Sequence, residues 1–123
     1  MEVTYEALTF EELRAANLAR VVQFRDAQGR LSHPEGIENW DAPRWCMAVT
    51  GELGELANLL KKIERGDFTL DEVRGRVGEE LADVAIYLDL LSARLGVYLA
   101  AAIVDKFNST SERVGSEVRL PLS

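Results

Sequence analysis

This chain of 123 residues predicts an all-α fold, a single domain built as a bundle of four main helices. Three observations carry that expectation. Apolar residues recur at alternating three- and four-residue steps along two long segments. Val49, Leu53, Leu56, Leu60 and Ile63 form one seam, and Val77, Leu81, Val84, Leu88, Leu91 and Leu95 form the other. Such steps put side chains on one side of a helix and suit packing against another. Helix-start signals stand where segments should begin, and glycines stand where they should end.

The first helix opens at Thr9-Phe10-Glu11-Glu12, which fits a capping box with Thr9 as N-cap, after a weakly patterned lead-in over residues 1–8. It is expected to run to about Gln28, with Arg25 and Asp26 in its last turn and Gly29 ending it. Residues 29–41 hold Gly29, Pro34, Gly36 and Asn39 and read as a loop. Asp41 is a good N-cap for the second helix, with Pro43 tolerated in its first turn. That helix should reach Arg65, with Gly66 just beyond it. Lys61, Lys62 and Arg65 there oppose the negative end of the helix dipole. Thr69-Leu70-Asp71-Glu72 is a second capping box, opening a third helix to about Arg94, in which Gly75 and Gly78 mark a possible break. Gly96 stops it. A fourth helix, roughly Leu99 to Arg113, follows without a clear N-cap, since Tyr98 precedes it. The core should span residues 9–114, leaving a short tail over 115–123.

Composition narrows the function. With 47% hydrophobic residues the chain can build a core, and three prolines without low-complexity runs argue against disorder. A formal net charge of −7 makes a nucleic-acid-binding surface an unlikely use of this chain. Neither a signal peptide nor an apolar run long enough to span a bilayer is found, so no membrane is expected. The lone Cys46 cannot form an internal disulfide, which points to a reducing compartment, the cytoplasm by default. As a catalytic thiol it would need a histidine, and the single one, His33, falls in the loop.

Chemistry concentrates between Thr50 and Asp83. Glu52 and Glu55 stand three residues apart beside the first seam, and Glu80 and Asp83 repeat that spacing beside the second. Residues i and i+3 of a helix lie about 60° apart, so each pair points one way. Four carboxylates brought together repel one another unless a cation joins them, and a hard ion with oxygen ligands, Mg²⁺ or Mn²⁺, is the natural counter-charge. The plainer alternative is a solvated acidic face.

The run GELGEL (51–56), followed by EELADVAIYL (79–88), resembles the E-x-x-E … E-x-x-D signature of the MazG-type all-α nucleoside triphosphate pyrophosphohydrolases. Arg25-Asp26, Pro43-Arg44 and the stretch from Lys106 to Arg113 extend the resemblance over roughly residues 20–114. It implies cleavage of a nucleotide between its α- and β-phosphates, in a homodimer or homotetramer whose pockets are shared between chains. Residue by residue, it implies metal binding by Glu52, Glu55, Glu80 and Asp83. It also implies that Arg25 and Asp26 lie near the nucleotide, that Lys106 and Arg113 meet phosphates, and that Asn108 is a polar contact. The chain departs from the pattern in places. Ala27 stands where a Trp usually follows, Gly51 where some relatives carry another Glu, and the 29–41 loop is longer.

The mechanism implied is attack of a metal-bound water on the α-phosphorus. Glu55 and Glu79 are the candidates for accepting its proton, Glu79 because it lies about 40° from Asp83 on an ideal helix. Tyr87, one turn beyond Asp83, is a candidate wall of the base pocket, with Trp40 and Trp45 as further aromatics. The substrate expected is a nucleoside triphosphate, and the sequence does not choose the base. A carboxylate-bridged di-iron bundle would need Glu-x-x-His motifs, which are absent. A non-catalytic helical module that dimerises through its seams is the remaining rival.

Overall fold

A computed structural model describes residues 8–122; most of the lead-in, residues 1–7, lies outside them. Four α-helices account for most of it: α1 (Phe10–Arg20), α2 (Ala42–Glu64), α3 (Leu70–Arg94) and α4 (Leu99–Val114). Among the described residues there is no strand, and the all-α expectation holds.

Local chemistry explains most boundaries. Thr9 accepts a hydrogen bond from the Glu12 amide, and Asp41 accepts one from the Arg44 amide. At Thr69 the reciprocal box is complete: its hydroxyl accepts from the Glu72 amide, and the Glu72 carboxylate accepts from the Thr69 amide. α4 starts at Tyr98 without a side-chain cap and ends on Gly115, whose φ of 76° suits a residue with no Cβ.

Two expectations about where helices run need correcting. The first helix stops at Arg20 instead of Gln28. A short 3-10 turn, Val21–Gln23, follows, and Phe24 is then extended at φ −65°, ψ 139°. Two adjacent valines weaken helix continuation, and Asp26 supplies a competing structure. Its Oδ1 accepts from the amides of Gln28 and Arg30, tying a tight loop closed by the Arg25–Leu31 bridge. Arg25 and Asp26 therefore sit in that loop and not in a helical turn. The second correction concerns α3, which runs unbroken through Gly75 and Gly78.

α2 and α3 form the main hairpin, joined by the turn 65–69, and α1 lies on α3. The central core is Val21, Trp45 and Leu90, ringed by Phe24, Ile37, Trp40, Ile86, Tyr87 and Leu91. The α2 seam is rotated from the one expected. Trp45, Leu56 and Leu59 are buried, with Glu52 half-buried among them, whereas Leu53 is 52% exposed and Leu60 faces outward. Leu81 (54% exposed), Leu88 and Leu95 continue this open apolar surface along α3. The apolar arc of α2 is broader than the strip α3 covers, so one flank is left without a neighbour. α4 departs at 101° to α3 and touches α1. Among the described residues no single helix is long and apolar enough to cross a membrane.

A buried ionic contact ties α1 to α3. Asp89 is 1% exposed, and both its oxygens accept from Arg14 Nε at 3.1 Å. Asn17 Nδ2 donates to Asp89 Oδ2 at 3.1 Å and to the Ile86 carbonyl. Arg14 reaches on to the Val97 carbonyl in the α3–α4 turn.

Candidate metal centre

Because Glu52 lies on the inner strip of α2, it faces α3. There it meets Glu80 and Asp83, which share one side of the helix. Carboxylate oxygens from Glu52, Glu80 and Asp83 all lie within 4.8 Å of one another, which is the spacing that lets one ion touch all three. Among the described residues none of the three makes an ion pair. Glu80 Oε2 is removed from solvent with no hydrogen-bond partner. A buried carboxylate oxygen without a donor is costly, and a cation would satisfy it.

The electrostatics say the same. Burial raises the Glu52 carboxyl above its ordinary value, and the charges of Glu55, Asp83 and Glu80 raise it further. Glu80 is raised by burial and then by Glu55 and Asp83, while Arg76 pulls the other way. Tyr87 is raised by burial and by Glu52 and Asp83, with Arg20 opposing. The arrangement can therefore hold a metal ion, and the all-oxygen donor set fits a hard one.

The remaining candidates divide. Glu55 stands beside Glu80 and belongs to the acidic group. Glu79 is exposed and outside the cluster. Tyr87 is half-buried beside the acids and 6.4 Å from Trp45, ring centre to ring centre. Trp45 is a correction: it is fully buried, and its indole donates to the Ile37 carbonyl, so it packs the core and offers no face to a base. Trp40 keeps some exposure and packs edge-on against His33 at 4.6 Å. Arg25 donates to the Gly29 carbonyl, and Asp26 pairs with Arg30, so both are engaged within their loop. Asn108 is engaged too, with its amide bridging the Leu120 amide and carbonyl to fold the tail back onto α4.

Lys106 and Arg113 are exposed on α4, and Lys106 flanks a shallow apolar groove formed by Ala102, Ile103 and Phe107. α4 begins beyond the end of α3, and Asp83 lies about 16 Å before that end at 1.5 Å per residue. α4 then turns away from the α3 axis, so within one chain these cations are not brought to the acids. Sequence reasoning missed two groups around the site, Arg20 and Arg76, and left His33 in the loop as a group that could approach a base. His33 is drawn into the aromatic core at 3% exposure, stacked 5.0 Å from Trp45. Arg20 lies 5.7 Å over the Phe24 ring on the Tyr87 side. Arg76 was findable: it stands four residues before Glu80 and seven before Asp83.

The chain is similar to dCTP pyrophosphatase 1 of Rattus norvegicus, 37% identical over 81 residues that make up 62% of this chain and 48% of the rat protein. The Mus musculus protein of the same name matches to the same extent. The chain thus spans about half the length of the curated relatives it matches. No family profile matches it, and no solved structure does. In its paired carboxylate motifs, in this similarity and in its all-helical fold, the chain bears out its resemblance to the MazG-type all-α nucleoside triphosphate pyrophosphohydrolases.

Proposed function

We propose that this chain is a nucleoside triphosphate pyrophosphohydrolase that cleaves a (deoxy)nucleoside triphosphate to the monophosphate and pyrophosphate, serving to clean the nucleotide pool of the cytoplasm. The observation that supports this best is the convergence of Glu52, Glu80 and Asp83 from two helices onto one point. Because the relatives are named dCTP pyrophosphatases, dCTP heads the list of substrates to test.

Glu52, Glu80 and Asp83, with Glu55 beside them, hold Mg²⁺ or Mn²⁺ in this reading. When bound, that ion supplies Lewis acidity and lowers the pKa of a bound water. The chain's own groups do the rest. Glu55 lies within the acidic group and is the better placed of the two proton acceptors, Glu79 being turned outward. Tyr87 borders the acids on one side and would receive the base, with the part-exposed Trp40 as a further aromatic.

The reading includes a homodimer or a homotetramer. The open leucines of α2 and α3 and the apolar side of α4 are what a second copy would cover, and they are the feature a purely structural dimerising module would share. That alternative leaves the inward-facing carboxylates without a purpose. In the oligomer, Lys106 and Arg113 would serve the phosphates at the other copy's acids.

The test is incubation with a panel of normal, uracil-containing, methylated and oxidised nucleotides plus Mg²⁺, scoring monophosphate and pyrophosphate. Turnover that disappears in Glu52→Gln and Asp83→Asn supports the reading. Absence of turnover on every nucleotide, or full activity in both variants, removes it.

A further inference from the structure

The strip of α3 that carries the acids carries a cation as well. Arg76 stands one turn before Glu80 and two before Asp83. At 100° per residue its side chain leaves the helix about 40° from Glu80 and about 20° from Asp83. Tyr87 extends the strip one turn past Asp83. From one end to the other it reads Arg76, Glu80, Asp83, Tyr87, over about 16 Å of helix.

Arg76 is exposed and uncommitted. Among the described residues the ion pairs engage Arg14, Arg30, Arg65, Arg74 and Arg94, and Arg76 takes part in none. This is unusual for an arginine with carboxylates at three helical neighbour positions. Glu72, four residues earlier, is spent on the capping box, its Oε1 accepting from the Thr69 amide at 2.9 Å and hydroxyl at 3.0 Å. Glu79 and Glu80, three and four residues later, stand in the weaker order for an intrahelical pair, with the base preceding the acid. No such pair forms within 4.0 Å, although the Arg76 charge is felt at Glu80.

We propose that Arg76 is a substrate-binding residue that takes the terminal phosphates of a nucleotide held at the acid cluster. The inference rests on the functional reading above and adds a direction to it. A nucleoside triphosphate runs from an aromatic base through the phosphates that share a metal to a terminal group with charge left over. The strip runs in the same order, from Tyr87 through Asp83 and Glu80 to Arg76. A guanidinium suits the last place because its planar fork meets two phosphate oxygens at once and keeps its charge at any working pH. In a chain of net charge −7, a free cation beside three carboxylates is also what keeps the polyanion from being repelled.

The experiment is calorimetric binding in the presence of Mn²⁺ for wild type, Arg76→Gln and Arg76→Lys. The ligands are pyrophosphate, dCMP and a non-hydrolysable α,β-methylene dCTP, with Mn²⁺ alone as a fourth titration. One charge-assisted contact corresponds to roughly a 10- to 100-fold change in affinity. Arg76→Gln should therefore weaken pyrophosphate and the analogue by that much, leave dCMP within about twofold, and hold Mn²⁺ at least as tightly as wild type. Arg76→Lys should recover part of the loss. Equal weakening of dCMP and pyrophosphate, no weakening of either, or loss of Mn²⁺ binding would overturn the assignment. If wild type binds neither the analogue nor pyrophosphate, the functional reading itself fails, and that result is distinct from an unaffected Arg76→Gln in a wild type that does bind.

Discussion

Asp83 and Asp89 sit six residues apart on α3, about 120° apart around its axis, in opposite surroundings. Asp89 is completed by the chain. Arg14 donates to both of its oxygens, Asn17 donates to one, and no solvent reaches it. Asp83 faces Glu52 and Glu80, groups of its own sign, with no ion-pair partner. The same residue type is a tie between helices in one place and an unfinished coordination shell in the other. What separates them is whether the fold supplies the counter-charge. A carboxylate matched inside the chain explains stability, and a group of unmatched ones points outside the chain.

The sharpest way to break this contrast is to remove one charge from each setting. Asp89→Asn leaves the Arg14 guanidinium, whose side chain is 20% exposed, without its charged partner, and breaking a pair with one buried member costs about 3 kcal/mol, the lower end for a fully buried pair. Urea unfolding of the metal-free protein reads that loss as a lower midpoint at unchanged slope. Asp83→Asn removes a repelled charge, so the same experiment should show no loss of stability or a gain. Equal destabilisation by the two substitutions would erase the distinction.

Metal comes next in size. An ion that binds only the folded chain stabilises it by about 2.7 kcal/mol at one hundred times its dissociation constant. Adding Mn²⁺ or Mg²⁺ at that level should raise the wild-type melting temperature by several degrees. Glu52→Gln and Asp83→Asn should lose most of the increase, and Asp89 variants, once folded, should keep it. A thermal shift that survives in Glu52→Gln would place the ion elsewhere.

Much of this could be read from the chain before any coordinates. Capping residues Thr9, Asp41 and Thr69 each accept the amide bond their chemistry suggests, because a cap is a local contact between neighbours in sequence. Of the two expected boxes, though, only the one at Thr69 is reciprocal, and Glu12 does not reach back to Thr9. The convergence of Glu52 with Glu80 and Asp83 follows from spacing plus one assumption, that the two helices pack as a hairpin. What could not be read was tertiary. The end of α1 is decided by where Phe24 and His33 find a pocket, and by Asp26 closing its loop, not by the helical pattern leading up to Gln28. The rotation of the α2 seam depends on which part of a broad apolar arc α3 covers. Asp89 looked like one more acid in a helix, since its partners Arg14 and Asn17 lie more than seventy residues away.

The acid range sharpens the comparison through sign. Glu52 and Glu80 titrate above the ordinary carboxylate value when folded, so the folded state holds those protons more tightly than the unfolded one. Their penalty is complete above the raised values and is relieved as pH falls through them towards 4.5, so acidification should stabilise the metal-free protein in that window. His33 works in the opposite sense. Burial lowers its pKa below 6.5, so stability is lost as pH falls from 6.5 through the lowered value. The two trends overlap, and Glu52→Gln should weaken the first, leaving the part due to Glu80, without changing the second.

His33 is also the smallest test and a third kind of incomplete group. Its Nδ1 is buried without a partner, as Glu80 Oε2 is, yet its neighbours are the rings of Phe24, Trp40 and Trp45, which offer no ion a site. If the imidazole serves only as a flat filler, His33→Phe keeps the stacking, removes the unsatisfied nitrogen and gains about 1 kcal/mol at neutral pH. The same substitution should abolish the loss between pH 6.5 and the acid range, leaving the stabilising carboxylate trend exposed in the metal-free protein. A clear loss of stability in His33→Phe would mean that the nitrogen has a partner in solution, and the acid cluster would then no longer be alone in needing one from outside.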